Sequence, residues 1–328
     1  QYSRQLDFMN YNSMLYNPWQ YRLLCPMIIE GAKRTYDHTI DKVITLEKVI
    51  HFPEKPAPDS QVFQSQLQSK DKLIYLGIFI LFRAVLNACI YGLSFILLSI
   101  FIKSNWLKAF ALLFISFSLG SAVHNSDLSF NTYLDVVLYL LAACVMLYRK
   151  NPWWIPVITL AGVLNRETAL LIPALYLVEK MEWRGLSKIK LPAPSVMLIT
   201  GVSLIVYVIC FVGIRLYYGY RAPEPVFDNQ VMVGLPMLRV NLFSGQAVKS
   251  YFEMYGALGV LPFTPLFTFR HNSRVLQNWF IILVPAWVSI HLLTSIAAES
   301  RCYLVPFLVV LLPMLLQKIQ HDVKGQPV

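Results

Sequence analysis

Charge is what this sequence has least of. Of its 328 residues only 14% are Asp, Glu, Lys or Arg, against about 25% in soluble globular domains. Hydrophobic residues make up 56%, and the mean hydropathy is +0.53. That balance excludes an ordinary soluble domain and points to a polytopic membrane protein. Cysteine is also sparse. Cys25, Cys89, Cys144, Cys210 and Cys302 show no CxxC and no paired spacing, which leaves free, buried thiols acting as small hydrophobes. Catalytic signatures are missing as well: there is no Gly-rich phosphate loop, no HExxH and no GxSxG. Classical ATPase, zinc-protease and serine-hydrolase chemistries therefore lose their support.

The charge that is present is unevenly placed. The net value is +10, yet residues 1–72 are nearly balanced, with 9 Lys/Arg against 8 Asp/Glu. The excess lies in short breaks between apolar runs, which is the positive-inside pattern of a membrane protein rather than the patch of a nucleic-acid binder. Aromatic pairs such as Trp153-Trp154 and Tyr217-Tyr218 sit at the ends of apolar runs, where amphipathic rings favour the headgroup zone.

Three regions follow. Residues 1–72 are polar and read as an external loop; from about Ile28 to Ile50 apolar and charged residues recur at loosely helical spacing, as in an amphipathic helix lying on a membrane. Pro53, Pro56 and Pro58 end it, and a Gln/Ser-rich connector follows. Residues 73–320 form the transmembrane bundle, and 321–328 a cytoplasmic tail. The bundle's apolar runs are about 73–102, 106–121, 130–148, 153–164, 169–178, 194–217, 255–269, 278–297 and 302–317. A full span needs about 20 residues, so the fold expected is an all-α bundle of about nine crossings, the pair around residue 165 being a tight hairpin or two tilted helices. The polar start at Gln1 suggests a first helix lost ahead of it.

Lys103, Lys108, Arg149, Lys150, Lys180, Arg184, Lys188, Lys190, Arg270, Arg274, Lys318 and Lys324 fall at alternate breaks, which are assigned to the cytoplasm. Asp7, Arg22, His124, Asp127, Arg166, Glu167, Glu299 and Arg301 then share the opposite face. A site there cannot draw directly on cytosolic nucleotide sugars or ATP and needs an exported donor, such as a lipid-linked one.

Two charged steps interrupt apolar sequence: Asn165-Arg166-Glu167-Thr168, and Glu299-Ser300-Arg301-Cys302-Tyr303 at the mouth of the last run. Charges at membrane depth are costly and mark functional sites by default, and arginine grips anionic phosphate with paired hydrogen bonds. The bland alternatives are a structural ion pair capping helix ends and a surface pair of small value. Asp7, in a stretch continuing to Tyr11, is either a general base on an acceptor hydroxyl or a frayed terminal residue. Asp135 lies within an apolar run and is expected to face the bundle interior, as a helix N-terminal charge or a substrate contact. His124 and Asp127 are weak metal-ligand candidates, more simply read as solvated loop polarity. Arg83 and Asn87, one turn apart, are read as bridging helices.

As an ordered set these motifs resemble the GT-C superfamily, polytopic glycosyltransferases that take sugar from a polyprenyl-phosphate carrier. The set comprises Asp7 to Tyr11 with Tyr21-Arg22-Leu23-Leu24-Cys25-Pro26, then Asp135, then Asn-Arg-Glu-Thr at 165–168, and finally Glu-Ser-Arg-x-Tyr-Leu-x-Pro from Glu299 through Tyr303 to Pro306. The resemblance implies a compact, bacterial-type enzyme of the plasma (inner) membrane acting on cell-envelope glycan, with its site outside. Asp7 would be the catalytic base, and Arg22, Asp135, Arg166, Glu167, Glu299, Arg301 and Tyr303 would bind substrate. Implied partners are the polyprenyl-phosphate sugar donor, a glycan, lipid or protein acceptor and the lipid bilayer, with no nucleic acid; no cofactor is fixed, a divalent metal ion being left open. The external loop from Tyr218 to Met254, with Arg221, Glu224, Asp228 and Arg239, would be a mobile cover or acceptor platform. The rival reading is a transporter or flippase of a lipid-linked or anionic solute, and a third is a non-catalytic subunit.

Overall fold

The computed structural model describes residues 2–9, 21–43, 69–121, 130–183, 189–219, 232–297 and 299–324. Apart from two paired two-residue strands, Glu182–Trp183 and Ile189–Lys190, its regular elements are helical. Two short helices come first, α1 (Tyr2–Met9) and α2 (Leu24–His38). Then follow α3 (Lys70–Phe101), α4 (Asn105–Ser121), α5 (Phe130–Leu147), α6 (Trp154–Asn165), α7 (Leu171–Glu179) and α8 (Pro194–Tyr218). After residues 220–231 come α9 (Leu235–Phe243), α10 (Gly245–Leu258), α11 (Arg274–Thr294) and α12 (Leu312–Lys324). A 3-10 turn, Ser300–Tyr303, and a wide π turn, Phe307–Leu311, lead into α12.

Five described segments are long and apolar enough to cross a membrane: α3, α5, α8, α11 and Ser300–Val323; 105–120 and α6 are apolar but shorter. Burial sorts them. α5 and the last segment are 72% and 78% buried and form the centre, whereas α3 and α8, at 28% and 22%, present most of their apolar surface outward. Such surface on a protein this hydrophobic is lipid-facing. α3, at 32 residues, is about 48 Å long and overshoots a hydrocarbon core of about 30 Å. Its first turns pack beside α2 instead: Tyr75 donates to Glu30 (3.0 Å), and Lys33 pairs with Asp71 (3.3 Å).

Hydrogen bonds between elements define two ends of the bundle. At one end the Tyr133 hydroxyl of α5 donates to Leu119 O of α4, Asn165 of α6 donates to Asn131 O, Tyr21 donates to Gly219 O beyond α8, and Gly234 N donates to Leu293 O of α11. At the other end Gln320 of α12 accepts from Lys103 N, Gln317 accepts from Ser273 N, and Asn278 of α11 donates to Val178 O and Met181 O. The basic breaks at Lys103, Arg149, Lys180 and Arg274 thus gather at this second end, as their alternation in sequence requires. Trp106, Trp153 and Trp154 are exposed there and Tyr217 at the first end, as expected of interfacial anchors.

The chain turns sharply between α6 and α7. Arg166 adopts an extended backbone that ends α6, and a 3-10 turn, Glu167–Leu170, starts the return. The two arms touch at Gly162, where an added Cβ would lie 2.7 Å from Ala169 Cβ. Only glycine lets them close, so of the two expected arrangements a tight hairpin is found. Arg83 bridges helices as read from sequence, its guanidinium 3.0 Å from the Tyr133 ring.

Several expectations need correcting. Part of the stretch read as an external loop, 218–254, is helical: α9 and most of α10 fall in it. The Ser244 side chain accepts from Ala247 N and caps α10, and Asn241 ties α9 to α11 through Leu292 O and Ser295 O. Leu235, Phe243 and Phe252 are exposed, so both helices carry apolar side chains outward, Arg239 lies in α9, and Arg221, Glu224 and Asp228 lie outside the described residues. The cysteines are all free, but Cys89 is exposed and Cys210 half-buried, because both stand on outward faces of peripheral helices. The helix expected from Ile28 to Ile50 is α2 followed by a single turn, Ile40–Val43; residues 44–68 lie outside the described residues.

Candidate functional site

The hairpin tip lies at the first end of the bundle and is assembled by α5. Asp135, 1% exposed, accepts from Asn165 Nδ2 (2.8 Å), Thr168 Oγ1 (3.3 Å) and Arg166 Nη1 (3.4 Å). Three donors fill its oxygens, so Asp135 supports Arg166 from inside the protein. Asn165 is equally engaged, donating also to Asn131 O and accepting from Cys25 Sγ at 3.5 Å. The turn backbone is held twice more, by Tyr139 donating to Thr168 O (2.5 Å) and Tyr207 donating to Glu167 O (2.8 Å). This is how a broken helix becomes tolerable within an apolar bundle: the carbonyls freed at Glu167 and Thr168 find side-chain donors.

The segment before α2 docks on this tip, with Leu23 N donating to Leu164 O at 2.8 Å. Arg22 is thereby placed with its Nη2 3.8 Å from Glu167 Oε2, and Arg215, from the last turns of α8, donates to Glu167 Oε1 at 3.3 Å. Burial, together with the neighbouring Arg166 guanidinium, pushes Arg22 down to about 10, while Glu167 and Asp135 pull the other way. Arg22 stays charged at neutral pH, in surroundings that do not fully compensate it.

Glu299 and Arg301 form the second charged step. Arg301 donates from Nε (3.0 Å) and Nη2 (2.9 Å) to Oε2 of Glu299, and Trp287 Nε1 fixes the turn by donating to Cys302 O at 2.5 Å. Trp287 also meets the Tyr139 ring edge-on and stacks on His291, whose ring lies 6.1 Å from that of Tyr303. The two steps, 134 residues apart in sequence, converge: Cys302 lies within electrostatic reach of Arg22, Arg166 and Arg301. Four arginines (22, 166, 215, 301) thus face three carboxylates (135, 167, 299) among the described residues. The surplus is cationic, in a setting poor in water, which favours an incoming anion.

Of the residues singled out from sequence, Arg22, Asp135, Arg166, Glu167, Glu299, Arg301 and Tyr303 come together here. Asp7 is half-buried on α1 and makes no hydrogen bond or ion pair among the described residues; Gln5 donates to Pro26 O (3.1 Å), which lays α1 over the first turn of α2. His124 and Asp127 lie outside the described residues, among which no group of three or more metal-ligating side chains occurs. Sequence reasoning did not single out Arg215, Tyr207, Trp287 or His291. Arg215 had a signal, a lone cation inside the apolar run 194–217; the others are ordinary core residues until their partners are known.

Comparison with protein-family models, curated proteins and solved structures found no match for this chain.

Proposed function

We propose that this chain is a membrane glycosyltransferase that moves a sugar from a polyprenyl-phosphate carrier to a glycan, lipid or protein acceptor at the extracytoplasmic face of a bacterial inner membrane. The observation that carries the reading is the convergence of Arg22, Arg166 and Arg301 at the broken hairpin. The lysines and arginines gathered at the opposite end support this sidedness, because the positive-inside rule assigns such an end to the cytoplasm; nine crossings are the topology proposed with it. In the reaction the acceptor oxygen attacks the anomeric carbon while the bond from that carbon to the phosphate oxygen breaks. The phosphate leaves with the bonding pair, and the arginines stabilise its growing charge. Asp135, Glu167 and Glu299 are each committed to arginine partners. Asp7 is then the carboxylate of the motif set left to take the acceptor proton, and α1 lies at the correct end for that role.

The broken hairpin 154–179 also suits a transport site, because half-helices around a polar break hold solutes in several transporters. One experiment separates the readings. Purified protein in nanodiscs and in sealed vesicles is given a labelled polyprenyl-phosphate sugar. Carrier-dependent labelling of an acceptor, lost in Arg166→Ala and Asp7→Asn, is expected; movement of the intact lipid across vesicles without bond cleavage would replace the enzyme by a transporter.

A further inference from the structure

Glu167 is held from two sides by cations that are remote in sequence. Arg22 approaches Oε2 and Arg215 donates to Oε1. Arg215 is itself fixed, its guanidinium 3.4 Å from the Phe211 ring and 4.4 Å from the Tyr21 ring, and Tyr21 is anchored by its hydroxyl on Gly219 O. The Glu167 main chain is pinned independently, through its carbonyl, by Tyr207. Its side chain remains 31% exposed, so the carboxylate can swing out without loosening the turn beneath it. One guanidinium donating to Oε1 at 3.3 Å and a second in ion-pair range of Oε2 at 3.8 Å place two cations on the two oxygens of one carboxylate, a charge arrangement that also suits two oxygens of a phosphoryl group. Arg166, the preceding residue in the chain, adds a third cation beside them, and burial together with that neighbouring guanidinium works against the charge of Arg22.

We propose that the Glu167 carboxylate is an internal stand-in for a phosphate, that Arg215 and Arg22 form the cradle it occupies, and that an entering phosphoryl group displaces it. This rests on the phosphate-site reading above and adds a residue, Arg215, and a competition to it. A stand-in of this kind keeps the arginines ordered and neutralised while no donor is bound. It also lowers the apparent affinity for phosphate by the fraction of molecules in which the carboxylate already fills the cradle.

The test measures the dissociation constants of inorganic phosphate and of a sugar-free polyprenyl phosphate in nanodiscs. Wild type is compared with Glu167→Gln, Arg215→Ala and Arg215→Lys. Glu167→Gln is nearly isosteric and leaves the Tyr207 bond intact. It is expected to tighten binding by about tenfold, because the competing charge is gone. Arg215→Ala is expected to weaken it by about 10- to 100-fold, with Arg215→Lys in between, because lysine keeps the charge but not the fork. Tightening for both probes identifies phosphate as such as the ligand; tightening for the polyprenyl phosphate alone identifies a lipid headgroup. Unchanged or weaker binding in Glu167→Gln overturns the stand-in. No step of the assay involves sugar transfer, so the two readings fail separately. A transferring wild type with an unshifted Glu167→Gln leaves the enzyme and removes the stand-in, whereas a shifted Glu167→Gln in a protein that transfers nothing does the reverse.

Discussion

The Arg166 guanidinium stands 3.4 Å from the Asp135 carboxylate, with both side chains buried. The pair joins the tip of the α6–α7 hairpin to the start of α5, one of the two most buried segments. Asp135 is what makes a cation at this depth affordable, and Asn165 and Thr168 complete its shell.

Breaking one half of such a pair strands the other. Arg166→Leu is therefore expected to cost about 3–5 kcal/mol of stability. Adding Asp135→Asn to Arg166→Leu should recover more than half of that loss, because no buried charge remains. Denaturation in mild detergent reads the stability, and the proposed sugar transfer is expected to be absent in both variants, since the double change restores packing and not the cation.

Gly162→Ala tests the hairpin closure. Alanine ordinarily favours a helix interior over glycine, but here its Cβ would meet Ala169 Cβ at 2.7 Å. The expected result is a loss of about 1–3 kcal/mol by overpacking, largely reversed when Ala169→Gly is added. A neutral Gly162→Ala would show that the two arms are not in contact.

Arg22 should behave in the opposite sense to Arg166. Its folded value, about 10, lies below that of the free side chain, so folding works against its positive charge. The penalty is present at every pH below about 10 and is relieved only above that value. Arg22→Met should accordingly raise the melting temperature of the ligand-free protein by a few degrees, equally at pH 6 and pH 8, while weakening phosphate binding. That is the usual exchange of stability for function at a binding site. A lowered melting temperature would show that the Glu167 contact outweighs the charge cost.

Trp287→Phe removes one hydrogen bond and keeps an aromatic ring. The Cys302 carbonyl then loses its donor in a buried setting, at a cost of about 1–3 kcal/mol. The turn carrying Glu299 and Arg301 should loosen, seen, under the proposed activity, as a higher KM for the proposed lipid-linked donor with kcat less affected. Equal loss of both would place Trp287 closer to the reacting atoms than its position beside Tyr139 and His291 implies.

Much of this fold is written in hydropathy. The long runs that became α3, α5, α8, α11 and the last segment declare themselves by length and apolar content, and the alternation of lysine and arginine between breaks separates the two ends. The charged steps at 165–168 and 299–301 were equally visible, because an ion inside an apolar run is rare for energetic reasons. Residues 235–254 were misread because short surface helices of mixed composition resemble a loop when their supports, such as Asn241 on Leu292 O and Ser295 O, are unknown. Arg215 went unnoticed because one cation near a helix end is commonplace until Glu167 is found beside it.

The sequence by itself determined that this is a helical membrane protein with charge embedded at two breaks, since the cost of burying ions and bare backbone in hydrocarbon leaves few other readings. Only the tertiary structure decided what those charges are for one another. Asp135 was assigned to the inside of Arg166, Glu167 to the space between Arg22 and Arg215, and Glu299 to Arg301. Ion pairing acts over a few ångströms in space and is indifferent to separation along the chain, so no spacing in the sequence could announce it.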